Sequence, residues 1–199
     1  MNRSDIKIRQ SSHRYFWSSV TIGIIILLVG ITIFNYGRQA RSYQANIIAK
    51  DIGRLVAIFE LIDKDCKIMS FDAQISPINF LNVKSFEGSE VGSMNLAYPT
   101  QWKGPYLEQH PEMQDINYQV VVTRKGYFIT PGNGVQLPNG KTVGKDLVLT
   151  EHSDIAAMMT DKKAFNYQGI ALAAPVPLAT PALQRLMMEN TIATVEDMI

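Results

Sequence analysis

Residues 20–34 read VTIGIIILLVGITIF, and none of these side chains is charged. Aromatic residues extend the run from Tyr15 to Tyr36, a segment of about 22 residues. At about 1.5 Å per residue, such a helix crosses a hydrocarbon core about 30 Å thick. Aromatic rings at both ends are typical of membrane–water interfaces. The stretch therefore predicts one transmembrane helix over residues 15–36.

The segment that follows, residues 37–67, is called the stem. No proline or turn cluster interrupts it, and its apolar residues recur at alternating steps of three and four. This spacing predicts an amphipathic helix with one buried face that continues the membrane helix. The apolar stripe consists of Ala45, Ile48, Ile52, Leu55, Phe59, Ile62 and Cys66.

The composition fits one modest domain beside an anchor. The chain has 199 residues, of which 46% are hydrophobic, and a formal net charge of +1. Nucleic-acid-binding proteins need a clustered basic surface, so no nucleic-acid partner is expected. The single cysteine, Cys66, excludes a disulfide within the chain, and its place on the apolar stripe indicates a core residue.

The first fourteen residues are polar and basic, with Arg3, Lys7, Arg9 and Arg14 against Asp5 alone. The positive-inside rule therefore places the N-terminus in the cytoplasm and the rest of the chain across the membrane. A cleaved secretory signal is the alternative, because a basic segment also precedes the apolar core of such signals. The absence of a small-residue cleavage pattern and the continuing helix favour an uncleaved anchor.

Downstream, residues 67–101 are punctuated by Pro and Gly and predict loops, as do residues 101–114. Residues 118–123 and 127–130 predict an antiparallel hairpin with its turn at 124–126. Turns are expected at 131–134 and 138–140, a helix at 154–164, and a terminal helix from Thr180-Pro181 towards Met188. The predicted parts are a cytoplasmic tail (1–14), the transmembrane helix (15–36), the stem (37–67), an α+β head (68–165) and a C-terminal extension with a short helix (166–199).

Two segments resemble type IV pilins and the pseudopilins of type II secretion systems. In those families an Asn-Tyr pair closes the membrane part of the N-terminal helix, and Asn35 and Tyr36 hold that position here. The loop WKGPYL is similar to a phrase that precedes a β-hairpin in major pseudopilins, and the matching residues include Trp102, Gly104, Pro105 and Tyr106.

The resemblance implies a pilin-like α+β fold, in which the long helix packs against a small antiparallel sheet. It implies a non-enzymatic, single-pass protein of the bacterial inner membrane with a periplasmic head. Its partners would be the membrane and other pilin-like or secretion-apparatus subunits, with no small-molecule substrate. The residues expected to serve assembly or packing are Trp17, Gly23, Gly30, Asn35, Tyr36, Ile48, Ile52, Leu55, Phe59 and Ile62.

The N-terminal segment departs from the family pattern. The family has a Gly followed by Phe-Thr-Leu-Ile-Glu before the apolar run. Counted back from Asn35-Tyr36, the cleavage position falls near His13 and the glutamate position on Trp17. Phe34 replaces the proline that bends the family's helix. These departures imply a divergent subunit that keeps its N-terminal tail.

Chemical signals are few. Asp154 invites comparison with the calcium loop of major pseudopilins, but calcium needs six to eight oxygen ligands and acids are sparse here, so calcium is a weak candidate and no other cofactor is expected. A helix cap at Ser153 or Asp154 is the favoured interpretation.

The alternative function for the whole protein is a membrane-tethered periplasmic enzyme or ligand-binding module. A pocket that gathers His110, His152 and Asp154 would favour it.

Overall fold

The structure, a computed structural model, describes the backbone of residues 3–178 and the side chains of residues 20–178. Contacts within the chain define two units, Met1–Tyr43 and Gln44–Ile199. Helix α1 spans Arg3–Cys66 and contributes to both. The helix begins well before Tyr15, so the predicted tail is not separated from it by a break in secondary structure.

In the first unit, the described part of α1 exposes a continuous apolar surface. Ile26 is 67% exposed and Phe34 is 65% exposed. Two of its polar groups have local partners: the Thr32 hydroxyl donates to the Leu28 carbonyl at 2.8 Å, and the Arg38 guanidinium lies over the Phe34 ring. Within the described residues, α1 is the one helix long and apolar enough to cross a membrane.

In the second unit, α1 buries the apolar stripe of the stem. Six of its seven residues are fully buried, and Ile52 is 3% exposed. The burial predicted from the three-and-four spacing is therefore confirmed. The opposite face of the same helix carries the exposed residues Asn46, Lys50, Gly53, Arg54, Ala57, Glu60, Leu61 and Lys64.

Short antiparallel strands share a hydrophobic core with the stem. The strands are β1 Ile68–Phe71, β2 Ile75–Pro77, β3 Glu90–Val91, β4 Met94–Leu96, β5 Glu112–Met113, β6 Ile116–Asn117, β7 Gln119–Thr123, β8 Gly126–Thr130, β9 Asn166–Tyr167, β10 Ile170–Ala171 and β11 Ala174–Pro175. A three-stranded sheet has the order β1-β4-β3, and a four-stranded sheet has the order β11-β8-β7-β2. Two further hairpins pair β5 with β6 and β9 with β10.

The predicted hairpin at residues 118–130 is confirmed as β7–β8. Thr123 pairs with Gly126, so Arg124 and Lys125 form a two-residue turn. Gly126 has a φ of 129°, a conformation that glycine adopts without steric cost. The observed fold is thus α+β, with one long helix packed against small antiparallel sheets.

Residues 67–101 contain more secondary structure than the sequence predicts. They include strands β1 to β4, where the sequence predicts loops alone. These strands have two to four residues, and the β1–β4 pair contains an irregularity between Ile68 and Ser70. Runs this short carry almost no alternating pattern. The Pro99–Gln101 segment is a single 3-10 turn.

Two predictions in the C-terminal part need correction. The helix expected at 154–164 is only α2, Ile155–Met158, because the chain folds back and the Phe165 N–H donates to the Met158 carbonyl at 2.9 Å. The boundary at 165 does not end the head, since β11 pairs with β8 and Leu172 is fully buried. The terminal helix predicted from Thr180 lies outside the described residues.

The two central residues of the β5–β6 turn adopt a left-handed backbone conformation. Met113 pairs with Ile116, and the turn residues Gln114 and Asp115 have φ of 57° and 61°. A left-handed backbone conformation costs about 1–2 kcal/mol in non-glycine residues, although Asp tolerates it better than most. Two-residue turns of this kind favour glycine at the second central position, which Asp115 holds here. We expect Asp115→Gly to raise the free energy of unfolding by about 0.5–1 kcal/mol, the relief exceeding glycine's entropic cost. Urea unfolding measures the change.

The matched control is Glu108→Gly, at an exposed loop residue that is not in the left-handed region. That change should leave stability unchanged or lower it. A loss of stability in Asp115→Gly as large as in the control would mean that the turn is not strained.

Candidate functional site

The residues expected to serve assembly or packing fall into two groups. Gly23, Gly30, Asn35 and Tyr36 lie on the exposed surface of α1, and among the described residues no atom would lie within 4 Å of a Cβ added at Gly23 or Gly30. The side chain of Trp17 lies outside the described set. The other five are buried inside the second unit and therefore pack within the chain: Ile48, Ile52, Leu55, Phe59 and Ile62.

Two polar contacts fasten the buried side of the stem to the head. The Tyr118 hydroxyl donates to Asp51 Oδ2 at 3.1 Å, and Tyr118 is 1% exposed. Burial and the Asp51 carboxylate raise the pKa of Tyr118, so the phenol stays protonated and donates. At the end of the helix, Asp63 Oδ1 accepts from the Ile68 N–H at 3.0 Å. The stem is thereby held at its middle and at its last turn.

The loop that resembles the major pseudopilin phrase packs against residues 81–86. Trp102 Nε1 donates to the Val83 carbonyl at 3.0 Å, and its indole makes edge-to-face contacts with Phe86 and Tyr106 at 5.4 and 4.8 Å between ring centroids. Only glycine fits at position 104, because an added Cβ would lie 2.2 Å from the Val83 oxygen. Pro105 follows Gly104 through a cis peptide bond.

The same loop also contacts the end of the stem. Lys103 Nζ and Asp65 Oδ2 form an ion pair at 2.9 Å, which raises the pKa of Lys103. Burial raises the pKa of Tyr106, and burial together with Asp65 raises the pKa of the Cys66 thiol. Because the thiolate is the reactive form of cysteine, Cys66 behaves as a buried apolar side chain at neutral pH. The loop therefore connects the helix end to the head.

The residues considered for catalysis or metal binding make separate contacts. Both ring nitrogens of His110 are shielded from solvent, and burial lowers its pKa. His152 Nε2 lies 3.0 Å from Glu151 Oε1 on the surface. Asp154 accepts from the Ala157 N–H at 3.1 Å and forms an ion pair with Lys125, which lowers the pKa of Asp154. The predicted capping role of Asp154 is confirmed.

Asp154 is also the residue that the sequence offers as a weak calcium candidate. Its two carboxylate oxygens contact a backbone amide and the Lys125 ammonium, a cation that competes with any metal. Across residues 20–178, no group of three or more His, Cys, Asp or Glu side chains is placed to hold a metal ion.

Sequence reasoning missed Asp51, Asp63 and the Lys103–Asp65 pair. Asp63 is 3% exposed although it is charged, because its position next to Ile62 places it at the border of the apolar stripe. A charged residue beside a buried stripe is the signal that could have marked it. Tyr118, the partner of Asp51, is 67 positions away in the chain, and Lys103, the partner of Asp65, is 38 positions away. No local sequence pattern reveals contacts between residues so far apart.

The observed features define a class: an α+β protein in which a membrane-compatible helix continues into the core of a small head. No protein-family model, curated protein or solved structure matches this chain. The likeness to pilins and pseudopilins therefore stays a prediction.

Proposed function

We propose that this chain is a pilin-like, single-pass membrane subunit of a bacterial secretion apparatus of the type II kind or of a type IV pilus apparatus. It acts by helix packing and subunit assembly. The observation that carries the proposal is the double character of α1, which exposes an apolar surface before Tyr36 and buries one apolar stripe after Gln44.

The exposed apolar surface of α1 needs an apolar environment. Leaving a large aliphatic side chain in water instead of burying it costs about 1.5–3 kcal/mol. Ile24, Ile25, Leu27 and Leu28 are each more than half exposed, and many neighbours are similar. A bilayer covers all of them at once. The basic tail orients the N-terminus to the cytoplasm and the head to the periplasm.

Neighbouring subunits would pack on the uncovered faces of α1. Gly23 and Gly30 are seven residues apart and lie on one face, where the missing side chains let another helix approach closely. In the second unit, Gly53 and Ala57 are exposed four residues apart. Because Gly53 has no described atom within 4 Å of an added Cβ, this part of the stem is also open to a neighbour.

The N-terminal segment makes this subunit different from a filament-forming one. Trp17 stands where the family has a glutamate that pairs with a neighbour's N-terminal amine. Arg9 and Arg14 would resist entry into the hydrocarbon, since a central charge costs about 2.5–3.5 kcal/mol on insertion scales. The protein is therefore retained in full length, associates with a few partner subunits and does not form long homopolymers.

The test co-expresses the chain with a prepilin peptidase in a bacterium that has a type II or type IV pilus apparatus. We expect the full-length mass, 22.3 kDa, in the membrane fraction. A photo-crosslinking residue at Gly30 should join the chain to pilin-like subunits. The same probe at Leu28, about 160° away around the helix, should react mainly with lipid.

A shortened product in sheared surface filaments would contradict retention and indicate an ordinary pseudopilin. Crosslinks from Gly30 that contain no pilin-like subunit would contradict the proposed function itself. In that case a membrane-tethered enzyme or ligand-binding module becomes the better explanation.

A further inference from the structure

A groove of about 420 Å³ lies beside the last turns of α1, within the second unit. Its charged residues come from α1 and the position after it, and its apolar residues come from the chain just past β11. It is lined by Glu60, Asp63, Lys64, Lys67, Pro177 and Leu178.

The wall formed by Pro177 and Leu178 is fixed in place. The Val176 N–H donates to the Tyr127 carbonyl at 2.9 Å, and the Leu178 N–H donates to the Val176 carbonyl at 3.0 Å. The described chain ends at Leu178, so residues 179–199 start at the groove itself. A segment tethered this closely has an effective concentration in the millimolar range, which favours binding within the same chain.

The composition of residues 179–199 complements the groove. Leu183, Leu186 and Met187 form an apolar group a few residues beyond the groove wall. The segment carries Arg185 against three acids, Glu189, Glu196 and Asp197. The groove offers apolar contacts at Pro177 and Leu178.

The groove also offers two cations. Lys64 is exposed and Lys67 is half-buried, and neither has an ion-pair partner in the part of the chain that the structure describes. Glu60 and Asp63 are the acids of the groove, and Asp63 is buried with one oxygen occupied by the Ile68 amide. The accessible lysines therefore suit an acidic segment with an apolar group.

We propose that residues 179–199 bind in this groove of their own chain. Leu183, Leu186 and Met187 contact the apolar wall, and the acidic residues lie near Lys64 and Lys67. The segment then lies beside the last turns of the stem. The inference does not depend on the proposed function.

The first measurement uses the unaltered, full-length protein in detergent. A zero-length carboxyl–amine crosslinker should join Lys64 or Lys67 to Glu189, Glu196 or Asp197 within the monomer, as identified by mass spectrometry. Crosslinks of these lysines to the segment only in dimers, or the absence of any such crosslink, would overturn the proposal.

The second measurement is the rate of lysine acetylation. With Leu183, Leu186 and Met187 all replaced by Gln, Lys64 and Lys67 should be acetylated about tenfold faster than in the unaltered chain. This factor corresponds to a segment that occupies the groove about nine-tenths of the time and leaves the lysines accessible for the rest. Lys50 on the same helix should not change. The control variant, with Asn190, Thr191 and Thr194 replaced by Gln, should keep the protection. Equal rates in the two variants, or a parallel change at Lys50, would contradict binding in the groove.

Discussion

Replacing Phe59 by alanine lowers the free energy of unfolding of the head by about 3–5 kcal/mol, the cost of removing a buried aromatic side chain and leaving a cavity. Phe59 is fully buried. Its ring makes edge-to-face contacts with Phe71 and Phe80, with centroids 6.1 and 6.5 Å away. Phe71 belongs to β1 and Phe80 to the loop after β2, so one side chain joins the stem to two parts of the head. Urea unfolding of the full-length protein in detergent measures the loss.

The control is Lys50→Ala on the exposed face of the same helix. A surface substitution of this kind changes stability by no more than about 0.5 kcal/mol. Equal losses from the two variants would show that the stripe is not the core face of the stem.

The stem is the part of the fold that the sequence predicts best, and the reason is physical. A helix that buries one face must repeat apolar residues every three or four positions, so the pattern from Ala45 to Cys66 is local and long. The β7–β8 hairpin is equally local, since its two strands are joined by a two-residue turn. Both were predicted to within one or two residues.

The remaining strands depend on contacts that are distant in sequence. β2 pairs with β7, as in Ile75 with Val121, and β11 pairs with β8, as in Ala174 with Ile129. Each of β2 and β11 has two or three residues, too few to show an alternating pattern. Tertiary context alone makes them strands, so the sequence predicts a loop at β2 and places the end of the head at residue 165, before β11.

The candidate site divides in the same way. Resemblance singled out the Trp102-Lys103-Gly104-Pro105-Tyr106 loop, but its packing against Val83 and Asp65 could not be read from the sequence. Capping by Asp154 was predictable, because a cap involves only neighbouring residues. The Tyr118–Asp51 hydrogen bond joins residues far apart in the chain and has no local signature.

Gly104→Ala should lower the free energy of unfolding by about 2–4 kcal/mol. The added Cβ would lie 2.2 Å from the Val83 oxygen and 2.3 Å from Trp102 Nε1, and both are far inside normal contact distances. Overpacking of this kind typically costs about 1–3 kcal/mol. The displaced indole also loses its hydrogen bond to Val83, worth about 0.5–1.5 kcal/mol. Urea unfolding measures the loss, and a shift of tryptophan fluorescence to longer wavelength reports the exposure of Trp102.

The control, Gly53→Ala, makes the same chemical change where there is room for it. Gly53 lies within α1, and no described atom is within 4 Å of an added Cβ. Alanine in a helix interior is favoured over glycine by about 0.5–1 kcal/mol, so this variant should be more stable than the original chain. The two substitutions therefore have opposite signs. If Gly104→Ala were as stable as Gly53→Ala, the loop would not be packed against Val83, and Gly104 would have no structural requirement.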